Sequence, residues 1–425
     1  MNSRERVQLA LSHREPDRIP LDLGAGFQTG MHVSTVHLLR QALELDPAGT
    51  PVKVIEPYQM LGEIKPDLLE VVGGDVVGVN PLGTMFGYRC DDWKPWTTFD
   101  GMPVLVPGKF NTDVEPSGDL CQHPGGDKSV PPSGRMPKGG FYFDAIVRQP
   151  PIDDQNLNVD DNLEEFGPIS ERDLAYFGRE VDRFYNETDK AIYLNFGGTA
   201  FGDVALVPAP WLKHPKGIRD VTEWYISTAA RKDYVYQIFE RQCEFALENT
   251  QKVYEVVGNK VDVVFLTGTD FAGQDWPLMS PKTYRQLFQP FHKRLNDWIH
   301  QNTTWKTFMH TDGAVKLLIP HFIEAGFDIL NPIQWTAKDM DPPVLKAEFG
   351  RRLAFWGGGV DTQKTLPFGT PDDVRAEVRQ RIKDFARGGG WIFNTVHNVQ
   401  PLVPVENLLA MYETIQEFRA YPIEV

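Results

Sequence analysis

Cysteine is scarce in this chain: three among 425 residues, Cys90, Cys121 and Cys243, odd in number and far apart. That excludes a disulfide framework and a CxxC metal site. Cys90 and Cys121 fall in one irregular stretch and could pair, but reduced thiols are the expectation. Apolar runs are short as well. No stretch of about 18 apolar residues occurs, so no transmembrane helix is expected. Residues 1–15 are polar and charged, without the apolar core of a secretory signal, and the reading is a cytoplasmic protein. Basic residues are in deficit, 43 Lys and Arg against 58 Asp and Glu, for a net charge of −15. Nucleic-acid binding needs clustered Lys and Arg to neutralise phosphate, and this balance argues against it. The surplus acid reads as a solubilising surface. A nucleophile elbow, a P-loop and an HExxH motif are all missing.

What is present is a recurring unit. Apolar residues make up 41% of the chain, enough for a large core. Eight short apolar runs carry a small or polar residue at or near their ends: 19–24 (IPLDLG), 75–80 (DVVGVN), 192–197 (IYLNFG) and 261–267 (VDVVFLT), then 305–310 (WKTFMH), 328–333 (DILNPI), 353–357 (LAFWG) and 391–396 (WIFNTV). Continuous rather than alternating apolarity predicts strands covered on both faces, as in parallel sheets. Helical patterns fall between them, at 33–45, 218–257, 281–301, 314–325, 371–386 and 405–419. Two carry start signals: Thr370 before Pro371, Asp372 and Asp373, and Ser280 before Pro281. Eight strands alternating with helices predict an α/β fold, a (β/α)8 TIM barrel. An open doubly wound sheet would carry a Gly-rich phosphate turn after its first strand. The run 24–30 (GAGFQTG) has one residue too many for that fingerprint and no clear acidic partner downstream, so its glycines are assigned to a sharp turn or a close approach.

The least regular stretch is 81–161, rich in Pro, Gly and Asp, with strand candidates only at 84–89, 104–107 and 141–147. Following strand 2, it is read as a long lid inserted over the barrel mouth, within a single domain spanning 1–425.

Active sites of this fold lie at the C-terminal ends of the strands. Polar residues follow every predicted strand: Asp22 and Gln28, Asn80, Thr199, then Thr269, Asp270 and Gln274, His310 and Asp312, Asn331 and Gln334, Asp361 and Gln363, and finally Asn394, His397, Asn398 and Gln400. Histidine is the more telling signal. His310 and Asp312, two apart on an extended strand end, point to one side, and His397 is the other histidine at a strand exit. Imidazole and carboxylate are good zinc ligands, and three protein ligands with an open position mark a catalytic site. The competing reading is a metal-free group that binds an anion or moves protons. His292, His300 and His321, on helical stretches, are assigned structural roles. Among aromatics near the mouth, Trp276 and Trp335 are the candidates for lining an apolar pocket.

Residues 2–24, 262–295, 308–334 (FMHTDGAVKLLIPHFIEAGFDILNPIQ) and 356–413 (beginning WGGGVDTQKTL) together resemble the uroporphyrinogen decarboxylase superfamily, and within it the corrinoid-linked methyltransferase branch. The resemblance covers the N-terminus and most of the chain after about residue 190, not the insertion. It implies a barrel. It also implies that an arginine-rich, carboxylate-holding segment should stand where this chain reads LDLGAGFQTGMH, which weighs against porphyrinogen decarboxylation. In the zinc methyltransferases the strand-5 motif is HxC, with a second Cys after strand 8. By resemblance His310 matches the family histidine, Asp312 takes the first Cys position and His397 the second.

Replacing two thiolates by carboxylate and imidazole hardens the site and favours oxygen ligands. The expectation is therefore a methyltransferase that demethylates a small O-methylated, aromatic donor with zinc at His310, Asp312 and His397. Asp270 and Gln274 would orient the donor, with Asn331 and Asn398 as further polar contacts. The chain has no DxHxxG signature, so cobalamin would come on a partner corrinoid protein. The alternative is a metal-independent decarboxylase or lyase using Asp22, Asp270 and His397 on a small carboxylated substrate. A third reading is a silent corrinoid-binding protein.

Overall fold

Seven of the eight apolar runs become parallel strands in the computed structural model, which describes residues 1–424. In chain order the strands are β1 (Val52–Glu56), β2 (Leu61–Gly62), β3 (Val76–Val79), β4 (Lys94–Thr97), β5 (Pro103–Val106), β6 (Leu120–Gln122) and β7 (Gly134–Met136). They continue as β8 (Asp144–Ala145), β9 (Ala191–Leu194), β10 (Val263–Thr267), β11 (Lys306–His310), β12 (Ile329–Asn331), β13 (Ala354–Trp356) and β14 (Trp391–Ile392). The central sheet runs β14-β13-β12-β11-β10-β9-β3, each neighbour parallel.

The eighth position of the ring is filled differently from the expectation. Residues 19–24 form no strand but bridge the two edges of the sheet. The Asp22 amide donates to the Phe393 carbonyl at 2.9 Å and the Phe393 amide to the Pro20 carbonyl at 2.8 Å. On the other side the Asp75 amide donates to the Leu21 carbonyl at 2.7 Å, while the Leu21 amide donates to the Asp75 carboxylate. Pro20 has no amide hydrogen, and Asp75 uses its side chain where a ladder would use backbone, so pairing stays local. The curled sheet with this bridging segment is of TIM-barrel type.

Continuous apolarity is explained by burial on both faces. Inside the ring, Val76, Tyr193, Phe265, Phe308, Ile329 and Trp356 pack together with Val7 and Leu11. The latter come from the helix Ser3–Leu11, which starts on an Asn2 capping box and closes the N-terminal end. Outside, helices such as Lys232–Val257, Pro371–Phe385 and Val405–Phe418 cover the strands in a second, larger apolar cluster. Both predicted helix starts hold: Ser280 caps Pro281–Leu287 and Thr370 forms a capping box with Asp373. Where one helix was expected at 314–325, only Ile319–Glu324 is α-helical.

The stretch 81–161 carries β4 to β8. It joins two small sheets, β2-β1-β5-β4 and β6-β7-β8. β1 precedes the insertion yet pairs in parallel with β5, so the irregular stretch is tied to the chain before it. The candidate at 84–89 is a turn, closed by the Thr84 amide donating to the Tyr88 carbonyl. Cys90 and Cys121 are both free thiols. No helix among the described residues is long and apolar enough to cross a membrane.

Candidate metal centre and its cavity

Strand β11 ends on His310, and the chain leaves it through Thr311 and Asp312. Beyond β14, the exit loop returns His397 to the same spot. The Asp312 carboxylate lies 3.6 Å from His310 Nε2 and 3.7 Å from His397 Nε2. The three ligand atoms lie within 4.8 Å of one another, and no other group of three His, Cys, Asp or Glu side chains among the described residues is so disposed. Tetrahedral zinc with bonds of about 2.0–2.1 Å separates its ligands by roughly 3.4 Å. The carboxylate is therefore already at ligand spacing from both histidines, and two imidazoles with one carboxylate fit zinc.

The neighbours of these groups fix which atoms face inward. In the parallel register His310 stands beside Asn331. The Asn331 Nδ2 donates to the Trp356 carbonyl at 2.9 Å, which turns its Oδ1 toward His310 Nδ1 at 2.6 Å. That oxygen can only accept, so Nδ1 carries the hydrogen and Nε2 presents its lone pair to Asp312 when the ring is neutral. An outer acceptor that sets the tautomer is the usual support of a metal-binding histidine. Asp270, beyond β10, accepts from the Asp312 amide at 3.0 Å and fixes the turn that carries Asp312. Gln334 accepts from the Gly313 amide at 2.7 Å, one residue further on.

The charges are interdependent. Burial disfavours a charged His310, but the Asp312 and Asp270 carboxylates outweigh it and hold the imidazole up at about 9. Burial also works against Asp312, and the two histidines win there, keeping its carboxyl below the usual range. Burial and the neighbouring Asp312 push Asp270 up. His397 is pushed down by burial against the pull of Asp312, which leaves it a neutral donor.

This cluster forms one end of a cavity of about 410 Å³. The insertion contributes Pro81, Gly83, Thr84 and Met85 to its wall, and Phe27, Tyr58, Trp211 and Phe265 supply aromatic surface. Of the residues singled out by sequence, Gln28, Thr199, Asp270, His310, Asp312 and His397 line it, with Asn331 directly behind His310. The others lie elsewhere. Asp22 is 2% exposed, accepting from the Ala25 amide at 3.0 Å and from Trp356 Nε1 at 2.9 Å. Asn398 ties the loop after residue 24 to the turn between β1 and β2, accepting from the Gly30 amide and donating to the Phe27 carbonyl and Gln59. The carbonyl of Gln274 receives the Lys338 amide. Trp276 is 63% exposed under the Lys338 ammonium, and Trp335 lies beneath Arg381. His292 is buried against the Tyr284 hydroxyl, in the structural role expected of it.

Two lining carboxylates escaped the sequence reading. Asp203 follows β9 in the run GGTAFGD, and Glu56 ends β1. Both are buried; burial pushes Asp203 up to about 6 and Glu56 up to about 7. The polar residue after a short Gly-rich exit was the available signal for Asp203. Glu56 could be found only by assigning VKVIE as a strand.

Comparison with known proteins follows the same lines. Residues 239–418 match the family model for uroporphyrinogen decarboxylase (URO-D). A uroporphyrinogen decarboxylase of Methylococcus capsulatus is 32% identical over 95 residues, 22% of this chain and 25% of that protein. The enzyme of that name from Pelobacter propionicus is 23% identical over 229 residues, 54% of this chain and 61% of that one. The chain thus spans from a quarter to about three fifths of the length of these curated relatives. A solved methyltransferase from Methanosarcina mazei shares the fold with a TM-score of 0.54 and 16% identity, covering 98% of this chain and 99% of that one. The likeness to the uroporphyrinogen decarboxylase family thus rests on residues 239–418, and the likeness to the methyltransferase is one of fold.

Proposed function

We propose that this protein is a methyltransferase that passes a methyl group from a small O-methylated, aromatic donor to a corrinoid protein. The observation that carries the reading is the convergence of His310, Asp312 and His397 at the end of an aromatic-walled cavity. His310 Nε2, His397 Nε2 and an Asp312 oxygen would hold zinc, which when bound supplies Lewis acidity to the donor oxygen. Asn331 keeps the His310 lone pair aimed inward, and Asp270 holds the backbone of Asp312. Phe27, Tyr58, Trp211 and Phe265 give an aromatic donor apolar surface to lie on. When the methyl–oxygen bond breaks, its electron pair stays on the oxygen and the methyl group passes to the nucleophile of the acceptor. Cobalamin would arrive with the partner, docked at the cavity opening, where the insertion would serve as a lid.

The names of the curated relatives favour the second reading, a metal-independent decarboxylase of a small carboxylated substrate. The charge of the cavity weighs against it: four carboxylates line it, with no lysine or arginine and only the His310 imidazole held charged among them. An anionic substrate would be repelled there.

Metal analysis of protein purified without chelator should give about one zinc per chain. Adding a cob(I)alamin-loaded corrinoid protein and a panel of aryl methyl ethers should give methylated cobalamin. Metal-free protein with undiminished activity would defeat the proposal.

A further inference from the structure

Glu56, Asp203, Asp270 and Asp312 all line the cavity, and no ammonium or guanidinium group does. Asp203 is the informative member. It is 9% exposed, and its Oδ1 accepts from the Ala205 amide at 3.0 Å. Among the described residues no donor reaches its Oδ2. That oxygen lies over Gly268, another lining residue, where a Cβ would stand 3.0 Å away. The side chain is largely buried, yet this oxygen opens on the cavity with no protein donor; the neighbouring Asp270 adds to the cost of its charge and His310 relieves part of it. What faces the cavity is the free oxygen of a carboxylate, with four carboxylates lining the space against the single charged imidazole of His310. Aromatic side chains, of which Phe27, Tyr58, Trp211 and Phe265 are at hand, add attraction for a desolvated cation.

We infer that the cavity takes an organic cation, an amine protonated or quaternary, with the Asp203 carboxylate as its counter-ion. Resting on the methyl-transfer reading, this makes the methyl donor an aromatic ether that also carries a cationic nitrogen. The nitrogen lies against Asp203 while the ether oxygen reaches toward His310, Asp312 and His397.

Three probes share one aryl methyl ether and differ in charge: 2-(4-methoxyphenyl)ethylamine, 2-(4-methoxyphenyl)ethanol and 4-methoxyphenylacetate. Each is titrated calorimetrically into the full chain. The amine should bind about tenfold more tightly than the alcohol, and the acetate should bind least. Asp203→Asn, which keeps the side-chain shape, should bring the amine down to the affinity of the alcohol and leave the alcohol unchanged. If that variant does not fold, Gly268→Ala, which sets a methyl group against the free oxygen, should lower amine affinity more than alcohol affinity. Equal affinities, a preference for the acetate, no binding of any probe, or an Asn variant that still prefers the amine would each overturn the inference. Binding needs neither corrinoid nor turnover. Methyl transfer from the neutral ether by protein without amine preference would end this inference and leave the reaction standing; amine preference without any methyl transfer would do the reverse.

Discussion

Asp22 and Asp203 look alike by most measures. Each follows a barrel segment at its C-terminal end, each is buried, and burial pushes each carboxyl up to about 6. Their surroundings differ in one respect. Both oxygens of Asp22 are taken by protein donors, Ala25 and Trp356, whereas one oxygen of Asp203 has none and opens on the cavity. A strongly shifted carboxyl is therefore no guide to a site by itself. What separates a structural acid from a functional one is an unfilled hydrogen-bonding valence facing space. The exit of residues 19–24 is filled by protein, and the exits of β9, β10, β11 and β14 are not.

The contrast can be broken by substitution. The largest effect belongs to the open side: His310→Ala or His397→Ala should remove zinc and lower kcat/KM by about a thousandfold or more, roughly 4 kcal/mol of barrel-mouth chemistry. Metal content and methyl transfer are the readouts, and retained zinc in both variants would contradict it. On the filled side, Asp22→Ala should leave two buried donors unmet and cost about 2–4 kcal/mol of stability in urea unfolding, with zinc content unchanged. Asn331→Ala lies between the two. It should weaken metal affinity about 10–100-fold by freeing the His310 tautomer, measured by competition with a chelator.

The smallest effect concerns pH. The native carboxyl of Asp203 sits at about 6, above its unfolded value of about 3.9. Between those values the folded state holds more protons than the unfolded one, so stability falls as pH rises through the window and stays lower above it. Asp203→Asn, which cannot ionise, should be more stable than the natural chain by about 1–2 kcal/mol at pH 8 and equal to it at pH 4. A difference independent of pH would show that ionisation is not the cause. Asp22→Asn should behave otherwise. Its new amide group must face Trp356 Nε1–H or the Ala25 amide, both donors, so it should be destabilised even at pH 4.

Sequence carried much of the fold because strands buried on both faces must read as unbroken apolar runs, and seven of them did. It failed at residues 19–24, where the run is equally apolar but Pro20 and the Asp75 side chain replace ladder pairing. It also missed β1 and β2, short strands in the stretch 46–74, for which no element was predicted. At the site, the two histidines and Asp312 were legible as strand-end residues of ligand type. Trp276 and Trp335 show the limit of that reasoning. Their position in exit loops was right, but an exit loop has an outer side too, and there each ring meets a cation, Lys338 and Arg381. The role of Asn331 needed the register between β11 and β12, which no single strand reveals.

The join at residues 19–24 has a consequence for motion. A contact held by three backbone hydrogen bonds parts before a strand ladder does, so the first opening of this barrel is expected there. The chain just beyond that join carries Phe27 and Gln28, which wall the cavity. Entry of a small molecule and the earliest loosening of the ring would then be one movement, and slower amide exchange at Asp22 and Phe393 than at Phe265 and Phe308 would rule that out.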